Sequence, residues 1–129
     1  MPTASGRFDL SATHRPPLSL GGMQRGGSEF SKTFHGGLTG TSTVHMESVI
    51  TPVKGSAAYA AVEFFEVTLD GRTGTFFAVH LGVMTRGAES LTVTIVPDSG
   101  QGGLTGIVGS FEIQRDAEGH RYVLHYTLP

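Results

Sequence analysis

The pair Asp70-Gly71 restricts the fold more than any other feature, because it lies between two long apolar runs, Ala58–Leu69 and Thr73–Met84. An Asp-Gly pair between alternating apolar runs is the strongest short-range signal for a β-hairpin, since both residues accept the positive φ angles of a two-residue turn. Gly55 and Ser56 before the first run do not support a helix there. The sequence therefore predicts two long antiparallel strands.

The rest of the chain also has the pattern of strands. Most segments alternate apolar and polar residues or are rich in Thr and Val. Beside the hairpin, the predicted strands are Arg7–Leu10, Glu29–Phe34, Leu38–Ile50, Leu91–Val96, Leu104–Gln114 and Arg121–Leu128. Longer connections are expected at Thr13–Gly27, which contains two prolines, and at Pro97–Gly103. So many consecutive antiparallel strands either close into a barrel or split into a sandwich.

A repeated pentapeptide favours the barrel. Gly-Gly-Leu-Thr-Gly occurs at Gly36–Gly40 and again at Gly102–Gly106. In an extended strand its first and last glycines share one face with the leucine, and inward-facing glycine permits the sharp coiling of a small closed barrel. The second copy continues this row to Val108. We therefore expect an all-β chain in which residues 1–129 form one antiparallel β-barrel domain.

Composition argues against several classes of function. With 9 Lys and Arg against 11 Asp and Glu, the chain lacks the clustered basic surface of a nucleic-acid or anionic-membrane binder. It has no cysteine, and its six histidines lack metal-site spacing, so we expect no metal. Gly100–Gly103 precedes a strand rather than a helix, which argues against a phosphate-binding loop, and no cofactor is expected. Without a signal peptide or an apolar span, the predicted location is the cytoplasm.

One face of the predicted hairpin carries an acid and an imidazole among aromatic residues. A two-residue turn places Glu63 opposite Ala78, so Glu63 and His80 are diagonal neighbours on the same face, and Tyr59 shares that face. The small and aromatic residues around them predict that this face is the interior. A carboxylate inside an apolar barrel is costly unless it is paired. The pair is therefore either a structural contact that fixes the register or an acid–base pair at the floor of an apolar pocket.

Four stretches of the chain resemble a bacterial domain family of unassigned function. They are KTFHGGLTGTS, SAAYAAVEFFEVTLDGRTGTFFAVHLG, IVPDSGQGGLTGIVGS and HRYVLHYTL, and they occur in the family's order and spacing over nearly the whole chain. That family is similar in fold to the allene oxide cyclase type of β-barrel, which plant allene oxide cyclases and dirigent proteins share. Small barrel cyclases of polyketide pathways are similar in architecture.

The resemblance implies an eight-stranded antiparallel β-barrel with a central apolar cavity, in chains that associate as homo-oligomers. Glu63, His80 and Tyr59 are the candidate catalytic residues. The expected substrate-binding wall consists of Phe34, Leu38, Phe65, Phe76, Leu104, Tyr122 and Tyr126. Gly37, Gly103 and His125 replace acidic residues that are usual in the family, so a role of those carboxylates in relatives is not carried over.

Three functions are consistent with these residues. The first is a cofactor-independent cyclase or isomerase that folds a small hydrophobic polyene, epoxide or polyketide-like substrate inside the barrel. The alternative is a non-catalytic binder or carrier of a small lipophilic molecule. The third is an oligomerising domain whose interior is filled. A cavity of some hundreds of Å³ beside Glu63 and His80 favours the first two, and a packed interior favours the third.

Overall fold

The computed structural model describes residues 2–129, and these form strands joined by turns, with no helix. The strands are β1 (Thr3–Leu20), β2 (Met23–Gly36), β3 (Leu38–Ile50), β4 (Ala57–Leu69), β5 (Arg72–Thr85), β6 (Ala88–Ile95), β7 (Gln101–Gly102), β8 (Val108–Asp116) and β9 (Gly119–Thr127). Eight of them pair antiparallel around a closed ring in the order β1-β2-β3-β4-β5-β6-β8-β9. The short β7 is an extra strand that pairs with β5. The predicted eight-stranded antiparallel barrel is confirmed.

The β4–β5 hairpin has the predicted register. Asp70 and Gly71 have φ angles of 51° and 74°, as a tight turn with two left-handed residues requires. Leu69 lies opposite Arg72, and the pairing continues without a shift to Ala57 opposite Met84. Because side chains alternate along a strand, this register determines which residues of both strands point into the barrel.

β1 and β2 are much longer than the sequence predicts, and the expected connection at Thr13–Gly27 is wrong. β1 continues through Pro16 and Pro17, with a register irregularity between Arg15 and Leu18. On its other side β1 pairs with β9 only from Thr3 to Phe8, so beyond Phe8 that edge is not paired with β9. Proline is tolerated there because an edge strand loses no ladder hydrogen bond on its open side.

The barrel has a closed end and an open end. β6 pairs with β8 only at Thr94 and Ser110, and the β8–β9 hairpin stops level with Phe8. Beyond this level the sheet of β1 to β6 continues as a trough that is open between β1 and β6. We call this end, where β4 begins and β5 ends, the mouth.

Aromatic rings fill the closed half. Phe65 stacks on Phe76 with ring centroids 4.5 Å apart, and its other neighbours Phe34 and Phe111 lie at 5.5 and 5.2 Å. We call these four residues the aromatic stack. All four are nearly inaccessible to solvent, and stacking at these distances adds to the free energy gained from burial. The interior of the closed half is a packed core.

The two copies of the repeated pentapeptide close the bottom of the barrel in different ways. In the first copy, Gly36 ends β2 and Leu38 begins β3, with a bend between them. In the second, the chain from Gly103 to Gly106 is a turn rather than a strand, so the predicted row of residues on one face is wrong there. Leu38 and Leu104 are both fully buried near the β4–β5 turn, whereas Val108 is 47% exposed.

Within residues 2–129 there is no helix whose length and apolar composition would carry it across a membrane.

In the first copy of the pentapeptide, Gly40 on β3 lies close to the backbone of β4, and a substitution there tests this contact. Its φ is +125°, and a Cβ there would lie 2.3 Å from the backbone oxygen of Glu66. Gly119 has φ +126° but has no atom within 4 Å of its own Cβ position, so it is a matched control. We expect Gly119→Ala to cost about 1 kcal/mol from backbone strain and Gly40→Ala at least about 3 kcal/mol from strain plus overlap. Urea denaturation measures both, and equal losses would contradict the close contact.

Candidate functional site

The Glu63 carboxylate lies inside the barrel and is bonded on all sides by side chains of the neighbouring strands. His80 Nε2 is 2.7 Å from Oε1, and the Ser42 hydroxyl donates to Oε2 at 2.5 Å. Lys32 Nζ is 3.3 Å from each carboxylate oxygen. The side chains of Glu63, His80 and Lys32 are only 1%, 5% and 8% exposed. We call Lys32, Ser42, Glu63 and His80 the buried polar network.

Four consecutive strands bring the buried polar network together. Lys32 lies opposite Ser42 across β2 and β3, and Ser42 lies opposite Phe65, two residues from Glu63 on the same face of β4. His80 on β5 pairs with Ala61, which places its ring diagonal to Glu63, as predicted. A slip of one residue in any of these pairings would turn one member to the outside.

Glu63 is held as a carboxylate. Burial favours the neutral form, but the hydrogen bond from His80, the charge of Lys32 and the Ser42 hydroxyl outweigh it, so the pKa of Glu63 falls below 4.5. Since every oxygen has a partner, Glu63 orients His80 and compensates the charge of Lys32. Its oxygens are not free to take a proton from a substrate.

Sequence reasoning missed Lys32 and Ser42 as members of the site. A signal was present, because Lys32 shares a strand face with Phe34, and Ser42 shares one with Leu38. A lysine on an inward face requires an anion, and the buried Glu63 supplies it. Lys32 Nζ also lies 4.6 Å from the centroid of the Phe8 ring, which adds a cation–π contact.

Tyr59 lies one level nearer the mouth than the buried polar network. Its ring covers Gly82 on β5, where a Cβ would lie 2.2 Å from the Tyr59 ring, so only glycine leaves room for it. Burial, with a smaller effect of the Glu63 charge, raises the pKa of Tyr59 above 10.0. Tyr59 therefore keeps its proton at neutral pH, and its hydroxyl has no hydrogen-bond partner among residues 2–129.

A cavity of about 380 Å³ lies at the mouth, against the Tyr59 ring. Its surface is mostly apolar, and Ser48 and Glu89 supply polar groups. The inward-facing side chains around it belong to β3, β4, β5 and β6, namely Met46, Ser48, Tyr59, Met84 and Leu91.

Among residues 2–129 the central cavity expected within the barrel is absent, and this packed interior favours the third function, an oligomerising domain with a filled interior. Around Phe34, Phe65, Glu63 and Tyr122 the free space is only about 10 Å³, because the aromatic stack fills it. The seven residues expected to form a substrate-binding wall are all buried in the core. They are Phe34, Leu38, Phe65, Phe76, Leu104, Tyr122 and Tyr126. Of the ten predicted site residues, Tyr59 lines the mouth cavity.

Tyr122 has a structural contact that the sequence did not predict. Its hydroxyl accepts the Leu38 backbone N–H at 2.8 Å and lies 2.9 Å from the His35 carbonyl oxygen, to which it donates. These bonds tie β9 to the bend between β2 and β3, and they satisfy backbone groups that the bend leaves without a ladder partner. Tyr122 therefore holds the closed end together.

Among residues 2–129, no group of three or more His, Cys, Asp or Glu side chains is arranged to hold a metal ion.

Comparison with known proteins places the chain in a family. The family described as "Protein of unknown function (DUF3224)" matches residues 4–126. The chain belongs to this family. A crystal structure of a DUF3224 protein of unknown function from Shewanella oneidensis MR-1 is 37% identical, with a TM-score of 0.93 over 100% of this chain and 98% of that one. No curated protein matches the chain.

The charge of Glu63 should make the stability of this DUF3224 chain depend on pH in a way that Glu63→Gln removes. At pH 7 the variant should lose about 3–5 kcal/mol, because Lys32 stays buried beside a neutral amide. The folded pKa of Glu63 lies below 4.5, so its stabilisation is complete above that pH and is lost as the pH falls through the folded pKa. In urea titrations the difference in the free energy of unfolding between wild type and variant should therefore become smaller below about pH 4.5.

Glu66→Gln is the matched control, since Glu66 is an exposed carboxylate on the same strand. It should change the free energy of unfolding by about 0.5 kcal/mol or less. The ionised, bonded carboxylate would be contradicted if Glu63→Gln lowered the free energy of unfolding equally at pH 7 and pH 3.5. It would also be contradicted if the variant were as stable as wild type at pH 7.

Proposed function

We propose that the chain binds a small, largely apolar molecule in the mouth cavity. The observation that carries this proposal is one unpartnered hydroxyl, that of Tyr59, in an apolar cavity of about 380 Å³. Ligand sites are typically concave and mostly apolar, with few polar groups that set the orientation, and this volume is at the lower end of their range. The ligand that fits is apolar over most of its surface and carries one hydrogen-bond acceptor for the Tyr59 hydroxyl.

The packed half below the mouth supports this proposal. The aromatic stack prevents a ligand from passing deeper, so a bound molecule rests on Tyr59 and Gly82, one level above His80. Met46 and Met84 provide unbranched, polarisable walls that adapt to different apolar shapes. The proposed site is therefore a cavity at the open end of the barrel and not an enclosed interior, and this suits a binder or carrier.

The uncharged fluorescent amine N-phenyl-1-naphthylamine is a suitable probe. About 0.3 kcal/mol per non-hydrogen atom gives roughly 5 kcal/mol for a molecule of its size, so we expect a Kd of about 200 μM or lower. Ser48→Phe places a ring inside the cavity and should weaken binding at least about tenfold, by loss of ligand contact area. Fluorescence titration measures both values.

Ser11→Phe adds the same ring to an exposed position of β1 and should leave the probe's Kd unchanged. The proposal is contradicted if wild type does not bind at 100 μM probe, or if Ser48→Phe binds as wild type does.

A cofactor-independent cyclase or isomerase is the second candidate, and the contact of 2.7 Å between His80 and Glu63 favours it. A carboxylate that holds one imidazole nitrogen fixes the ring and leaves the other nitrogen for proton transfer. His80 Nδ1 makes no hydrogen bond to residues 2–129, and no fully buried side-chain polar atom there lacks a partner, so Nδ1 retains some access to solvent. The resemblance to allene oxide cyclase barrels also supports this candidate.

In this second candidate the residues have different roles from those expected from the sequence. Tyr59 donates a hydrogen bond to an epoxide or carbonyl oxygen, and the mouth holds the chain of the substrate in a folded conformation. His80 Nδ1 removes a proton from one carbon and returns it to another, so an isomerisation needs no further reactant. Glu63 positions His80 and does not contact the substrate.

Tyr59→Phe separates binding from catalysis. The variant keeps the apolar ring over Gly82 and should bind the naphthylamine probe with the wild-type Kd. If the chain is an isomerase, mass spectrometry after incubation with unsaturated epoxides and polyketide-type enones should show conversion by wild type that falls about 100-fold in the variant. Conversion that is unchanged in Tyr59→Phe contradicts this role, and no conversion with any of these substrates favours the binder over the isomerase.

A further inference from the structure

From Ala58 to Phe64 on β4, and on the parts of β5 and β6 beside it, the outer surface carries no charged side chain. Its outward-facing residues are Ala58, Ala60, Val62 and Phe64 on β4, Phe77, Val79, Leu81 and Val83 on β5, and Ser90, Thr92 and Thr94 on β6. They are adjacent across three paired strands and thus form one continuous patch. We call this patch the uncharged face.

The uncharged face exposes large apolar side chains. Val62 is 48% exposed, Leu81 53%, Val79 43%, Phe77 40% and Val83 39%. Single exposed apolar residues are normal on protein surfaces, but a contiguous group of this kind on a monomer marks an interaction site.

Charged and polar residues border the uncharged face along β3 and at one end of β4. On the neighbouring β3, Glu47 lies 2.7 Å from Arg15 and His45 lies 3.5 Å from Glu47. Glu66 follows Phe64 on the outer side of β4. Protein interfaces have this anatomy, with charge depleted at the centre and concentrated at the rim.

The surface area of the chain is larger than that of a typical monomer of its mass. The accessible area is 7445 Å². Folded monomers follow a relation that gives about 6,600 Å² for a chain of 13.6 kDa. The surplus of roughly 850 Å² includes the surface of the long β1–β2 hairpin, so it shows only that the chain has enough exposed area for a standard interface, which buries roughly 800 Å² of each partner.

We propose that the uncharged face binds the same face of a second copy of this chain. In a two-fold dimer each surface meets itself, so any charge near the axis would meet a like charge. The uncharged face avoids that repulsion over its whole extent. Two such sheets pack about 10 Å apart with their side chains interleaved, and β-branched and aromatic residues fill that layer well.

Val62→Lys tests the dimer, with Val108→Lys as a matched control. Val108 is also an outward valine on a strand, it is 47% exposed against 48% for Val62, and it lies outside the uncharged face. Multi-angle light scattering after gel filtration at 100 μM should give wild type and Val108→Lys twice the chain mass of 13.6 kDa. Val62→Lys should give the single-chain mass, with a dimer Kd raised at least about 100-fold. Unchanged circular dichroism confirms that each variant is folded.

Three results would overturn this proposal. The first is a wild-type monomer at 100 μM, which would mean that the face is covered by another partner or by none. The second is a dimer or larger assembly that Val62→Lys leaves intact. The third is equal dissociation by Val62→Lys and Val108→Lys, which would show that added charge alone, at any position, separates the copies.

Discussion

A carboxylate that must stay charged inside an apolar barrel is the constraint on which this structure depends. Glu63 is stable there only because Lys32, Ser42 and His80 reach it from three neighbouring strands. Each contact requires a particular register, so the network selects one alignment of β2, β3, β4 and β5 over its alternatives. Replacing a buried ion pair by apolar residues often leaves stability unchanged, whereas removing one partner is costly. We infer that the network contributes more to the register of these strands than to the total stability of the fold.

The network also lies between two halves of the barrel that differ in free volume. Below it, the stacked rings of Phe34, Phe65, Phe76 and Phe111 leave almost no free space. Above it, β6 and β1 separate and the sheet opens into the mouth, with Tyr59 as its floor. The ligand site that we propose lies at this end of the barrel, separate from the outer surface of β4 to β6, where we propose that a second copy binds. Strands β4 and β5 supply both the floor of the mouth cavity, at Tyr59 and Gly82, and the centre of the uncharged face.

The sequence predicted the parts that follow from local pattern. Asp70-Gly71 gave the hairpin and its complete register, and alternation then placed Glu63 beside His80 inside the barrel. Lys32 was missed although its position beside Phe34 indicated an inward side chain. The prolines of β1 predicted a loop, since the sequence does not reveal that the strand has an open edge there. Whether Phe65 and Phe76 line a cavity or fill it depends on the volumes of side chains from distant strands, which no local pattern records.

The pKa of the Glu63 carboxyl group tests the central claim most directly. It is measured by following the side-chain carboxyl ¹³C resonance of Glu63 from pH 8 to pH 2.5, with Glu63→Gln used to assign the signal. The buried, bonded carboxylate predicts the shift of an ionised group at neutral pH and a midpoint below 4.5. A midpoint above 4.5, or a neutral carboxyl group at pH 7, would mean that burial outweighs the contacts with Lys32, Ser42 and His80, and the account of the network would be wrong.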